Sequence, residues 1–80
     1  MDLFQQLGRT IQQRRSQMRI TQGQLADMAE LSINTLYKIE RGQGNPTLQS
    51  LFKIADILGL ELVLQVKHKE KKLENETSGN

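Results

Sequence analysis

The sequence predicts an all-α fold: a small bundle of four helices, plus one C-terminal strand that pairs across a dimer. Three observations predict it. Apolar residues recur at three- and four-residue spacing between Leu3 and Leu58, the period of an amphipathic helix. Hydroxyl residues (Thr21, Ser32 and Thr47) stand just ahead of three of the four periodic runs, where their oxygens can accept the free N–H groups of a first turn. After Gly59 the apolar period changes to two.

The elements follow in order. Leu3, Leu7, Ile11 and Met18 lie on one stripe and predict a first helix from about Asp2 to Met18. Arg15 falls on the same stripe and so requires an inward partner. Thr21-Gln22-Gly23-Gln24 reads as a capping box, with Gln24 able to reach back to the cap. It opens a second helix over 22–29, with Leu25, Ala26 and Ala29 inward, that ends near Glu30. Ser32 caps a third helix from Ile33 to about Arg41, whose inner face is Leu36 and Ile39, with Leu31 just ahead. Glu40 stands one turn after Leu36 on that face. Gly42-Gln43-Gly44-Asn45-Pro46 is a loop by composition. Thr47 then caps a fourth helix bearing Leu48, Leu51, Phe52, Ala55 and Leu58 at helical spacing, and Gly59 stops it.

Residues 1–60 thus form one domain, and 61–67 read differently. Leu62, Leu64 and Val66 alternate with Val63 and Gln65, the pattern of a strand. The chain offers no second strand to pair with it, and a lone strand would expose a row of unpaired backbone groups. Pairing with the same segment of a second copy resolves this as a two-fold homodimer. The plainer alternative is that the fourth helix continues through 61–67. Residues 68–80 read as a charged polar tail, expected to be disordered.

Composition narrows the function. Eighty residues with 36% hydrophobic content suffice for one modest core. With no cysteine and a single histidine, neither a disulfide framework nor a structural zinc site can be assembled, and no cofactor is expected. The carboxylates are scattered singly and the six glycines form no phosphate loop, so nothing points to an enzyme. No apolar run or leader pattern suggests a membrane, and a cytoplasmic protein is expected. Residues 1–72 hold all 11 Lys and Arg against seven of the nine acids, a balance of +4. That excess suits a nucleic acid partner without demanding one.

Two short helices, 22–29 and 33–41, joined by a tight connection give the arithmetic of a helix-turn-helix, whose second helix enters a major groove. The run TQGQLADMAELSINTLYKIERG adds detail. Thr21-Gln22, Leu25-Ala26, Leu31-Ser32 and Ile39-Glu40-Arg41-Gly42, with NPTLQSLFKIADILGL after them, resemble the phage Cro and repressor (XRE) helix-turn-helix family over about residues 3–60. The resemblance implies a lambda-repressor-like bundle that binds double-stranded operator DNA. One departure is Glu30, where the family commonly has Gly in the turn. A left-handed backbone there costs a non-Gly residue about 1 kcal/mol.

The resemblance also implies roles. Gln22 matches a position that contacts a DNA phosphate, although an ordinary exposed glutamine at a helix start would look the same. Ile33, Asn34, Tyr37 and Lys38 match positions that face bases or nearby phosphates. Asn34 suits a two-point contact with adenine, Ile33 and Tyr37 suit a thymine methyl, and Lys38 suits guanine or a phosphate. Thr35 would contact the backbone or pack at the groove edge. Arg41 and Asn45 match positions near the sugar-phosphate chain, and either would serve equally as a solvated loop residue. Arg15 and Glu40 match a buried ion pair linking the first and third helices, which leaves Arg14, pointing elsewhere, as a phosphate contact. The Lys67–Lys72 run reads as a solvated end.

A four-helix reader followed by a strand resembles the HipB-type antitoxins, small dimers that repress their own operon and neutralise a HipA-like kinase toxin. A free-standing or prophage repressor without a toxin partner is the alternative. A protein–protein adaptor is the alternative from another class, and it would show an apolar patch on the third helix.

Overall fold

The computed structural model describes residues 2–65 and 67. It contains α1 (Leu3–Gln17), α2 (Gln22–Met28), α3 (Ile33–Glu40) and α4 (Leu48–Leu58), in the predicted order and within a residue or two of the predicted bounds.

Side chains fix each start. Thr21 Oγ1 accepts the Gln24 N–H at 3.0 Å, and Gln24 Oε1 accepts the Thr21 N–H at 2.8 Å. Asp2 and Gln5 make the same reciprocal pair at α1, a box that the apolar stripe alone does not reveal. Ser32 Oγ and Thr47 Oγ1 accept from Thr35 and Ser50, each at 3.0 Å. Such caps stabilise by about 1 kcal/mol each.

All four helices end alike. A residue with positive φ follows each one, and the next N–H reaches back to a carbonyl of the last turn, as in Leu31 to Ala26 and Leu60 to Ala55, both 2.8 Å. Gly42 and Gly59 occupy two of these positions, while Arg19 (φ 61) and Glu30 (φ 60) occupy the others. Glu30 is therefore left-handed, as its place in the turn implies. At both non-glycine positions Cβ crowds the following carbonyl, at roughly 1–2 kcal/mol each.

The core is Ile11, Leu25, Ala26, Ala29, Leu36, Ile39, Ile54 and Leu58. Two expectations need correction. Ile54 is fully buried, whereas Leu48 and Phe52 are 64% and 50% exposed. The inward stripe of α4 runs through 51, 54, 55 and 58, with 48 and 52 on its flank. On α1, Leu3 and Met18 are exposed at the two ends, and burial concentrates at Gly8 and Ile11. A Cβ on Gly8 would lie 2.4 Å from the Ile39 carbonyl oxygen and 2.6 Å from that of Glu40. Only glycine lets α1 rest directly on the last turn of α3.

After Gly59 the chain does not continue as helix: residues 60–65 carry no regular structure. Leu62 is half-buried in a small apolar cleft with Leu7, Ile11 and Leu51, while Val63, Leu64 and Gln65 are exposed. Val66 and the 68–80 tail lie outside the described residues. Among the described residues, no helix is long and apolar enough to cross a membrane.

Candidate nucleic-acid interface

Helix α3 is divided lengthwise. Leu36, Ile39 and Glu40 are buried, and Ile33, Asn34, Thr35, Tyr37 and Lys38 are exposed. The connection from Ala29 to Ser32 is short because the left-handed Glu30 turns the chain and Ser32 caps the next helix at once. α3 is therefore anchored at both ends, by the cap at its start and by Gly8 at its finish.

Glu40 is the polar centre of the buried side. Its side chain is 2% exposed and pairs with Arg15, Nε to Oε2 at 2.7 Å and Nη2 to Oε1 at 3.1 Å. Arg15 Nη1 also donates to the Ile20 carbonyl at 2.9 Å. Gln22 Nε2 donates to Glu40 Oε1 at 2.9 Å, so one network ties α1, α2 and α3 together. A buried bidentate pair with further hydrogen bonds around it is the form in which such a pair is tolerated. Gln22, expected at a phosphate, is half-buried and already spends one N–H on Glu40.

Arg14, expected at a phosphate, makes one hydrogen bond within the fold. Its Nε donates to the Leu58 carbonyl at 2.7 Å, closing the C-terminus of α4. A cation at a helix C-terminus satisfies a free carbonyl and complements the dipole; this bond uses the Nε–H of the half-buried Arg14.

The exposed side of α3 has groups to offer. Among the described residues the Asn34 amide and the Lys38 ammonium make no hydrogen bond or ion pair. Arg41 lies over the Tyr37 ring, 5.3 Å from its centroid, an arrangement that steadies both side chains. Two clefts flank the helix. One, of about 110 Å³, is lined by Thr35, Lys38, Gln43 and Asn45 from α3 and the following loop. The other, of about 360 Å³, is lined by Tyr37 and Glu40 of α3, Arg41 just after it, Gln22 of α2, and Gln5, Arg9 and Gln12 of α1. Thr35, Lys38 and Asn45 are thus brought together on one flank, and Gln22, Tyr37 and Arg41 on the other. The three α1 residues were not singled out from the sequence. Their spacing of four and three puts them on one helix face, a polar stripe beside the apolar one.

The sequence has known relatives. A family model described as helix-turn-helix matches residues 11–65. An HTH-type transcriptional regulatory protein of Methanococcus maripaludis is 30% identical over 56 residues, 70% of this chain and 17% of that protein. The transcriptional repressor of the cryptic phage CTXphi in Vibrio cholerae is 43% identical over 42 residues, 52% of this chain and 38% of its own length. The immunity repressor of Bacillus phage phi105 is 39% identical over 56 residues, 70% of this chain and 39% of its own. The chain therefore spans well under half of each relative. The matched span takes in all of α2, α3 and α4, and the chain belongs to the helix-turn-helix family of the Cro/repressor (XRE) type.

Proposed function

We propose that this chain is a sequence-specific, double-stranded-DNA-binding transcriptional repressor that acts as a homodimer and carries out no chemical step. The observation that carries the reading is the division of α3, whose inner side is locked by Leu36, Ile39 and Glu40 while Asn34, Tyr37 and Lys38 are left outward. Direct readout needs a rigid helix with free polar ends facing a groove. An adaptor would favour a continuous apolar patch there, and this face is mixed. Ile33, Asn34, Tyr37 and Lys38 read base edges, and Gln22, Thr35, Arg41, Asn45 and Arg14 hold the backbone. The setting is the cytoplasm, on bacterial DNA.

The dimer forms through residues 62–66, antiparallel to the same segment of the second copy. The exposed Val63 and Leu64 support this, since a second chain would cover them. Two α3 helices would then enter successive major grooves of a partly palindromic operator, with half-site centres about 34–36 Å apart. Leu64→Pro removes a ladder donor, and it should convert the dimer to a monomer by sedimentation and weaken operator binding steeply. An unchanged dimer mass would reject the strand.

Of the two finer roles, the two phage relatives, both named as repressors, favour a free-standing or prophage repressor. The antitoxin role rests on the layout of a strand after the fourth helix. A HipA-like kinase encoded alongside, and inhibited by this chain, would select the antitoxin.

A further inference from the structure

We propose that Arg9, with Gln12 beside it, is a DNA-backbone contact, so that α1 seats a phosphodiester on the flank of α3 opposite the 43–46 loop. The inference rests on the DNA-binding reading above. The larger flanking cleft is where Arg9, Gln12, Gln22, Tyr37 and Arg41 meet. Its one carboxylate, Glu40, is already occupied by Arg15 and Gln22. The two cations in the lining, Arg9 and Arg41, have no carboxylate partner among the described residues. The cleft therefore offers two guanidinium groups with glutamine amides beside them, and no free anion of its own. A guanidinium presents a planar fork of donors that matches phosphate oxygens.

Position selects the phosphate. Tyr37 belongs both to this cleft and to the outward face of α3. An anion seated beside it stands next to whatever groove α3 enters, and the walls of a major groove are phosphodiester chains. The opposite flank carries Thr35 and Asn45 for one wall. The Arg9 cleft supplies the other. Nothing within the fold engages the Arg9 charge, since the residue is exposed and makes no ion pair among the described residues.

The test uses the whole chain and the duplex that wild type selects from a random pool. Arg9→Ala should leave the helical circular dichroism and the preferred sequence unchanged. It should weaken binding several-fold and lower the slope of log affinity against log salt by about one unit per subunit. Arg9→Lys should restore most of the slope. Methylphosphonate substitution, one phosphate at a time, should reveal a site where wild type loses affinity and Arg9→Ala does not. Lys53→Ala removes the same charge from α4 and should leave the slope intact. A wild-type slope in Arg9→Ala would overturn the inference, as would an equal loss in Lys53→Ala. Failure of wild type to select any duplex would instead overturn the repressor reading beneath it.

Discussion

The two sides of α3 are built from neighbouring residues to opposite specifications. On the inner side, Leu36 is fully buried and Glu40 has both carboxylate oxygens engaged by Arg15 or Gln22. On the outer side, one residue away in sequence, Tyr37 is 44% exposed and Lys38 has no ion-pair partner among the described residues. The inner side completes its hydrogen bonds within the protein, and the outer side leaves them for something else. A helix of eight residues is too short to hold its shape alone, so the order of the outer side depends on the inner one.

The comparison is broken most severely from the inside. Glu40→Ala strands the Arg15 guanidinium in a nearly dry site and should cost about 3–5 kcal/mol, read as a large fall in the urea midpoint. DNA binding would be lost with the fold. The outside should behave differently. Asn34→Ala should relax base choice at one operator position by about 1–3 kcal/mol with the unfolding midpoint unchanged. Uniform weakening over all sequences would remove Asn34 from the base-reading set. The cap between the two sides comes next: Ser32→Ala should cost about 1 kcal/mol of stability and leave sequence preference alone. The smallest effect is expected at Glu30, whose ion pair with Lys53 is largely exposed and contributes little. Glu30→Gly relieves the left-handed strain and should raise stability by up to about 1 kcal/mol. A fall would mean that the pair outweighs the strain.

What was legible in the sequence follows the range of the physics involved. Caps and stops are local, so Thr21, Ser32, Thr47 and Gly59 mark their helices correctly. Arg15 and Glu40 stood out because a charge on an apolar stripe needs a partner, and the structure joins them at 2.7 Å. Tertiary choices were harder to read. The α4 stripe is wide enough to dock on either flank, and only packing against the other helices chooses Ile54 over Phe52. Arg14 reaches a carbonyl 44 residues away, a contact that no spacing rule anticipates. Arg9 carries no local signal, and only the fold brings it alongside Gln22 and Arg41. Local rules do not reveal left-handed Arg19 either, because nothing in its side chain favours that backbone.

The central claim is that the outer side of α3 reads DNA. The most direct measurement is selection of bound duplexes from a randomised pool by the pure protein at near-physiological salt. The expected result is enrichment of a two-fold palindrome with half-sites about one helical turn apart, and loss of one base preference in Asn34→Ala. A pool that yields no sequence would contradict the claim, and would leave this fold in search of a protein partner.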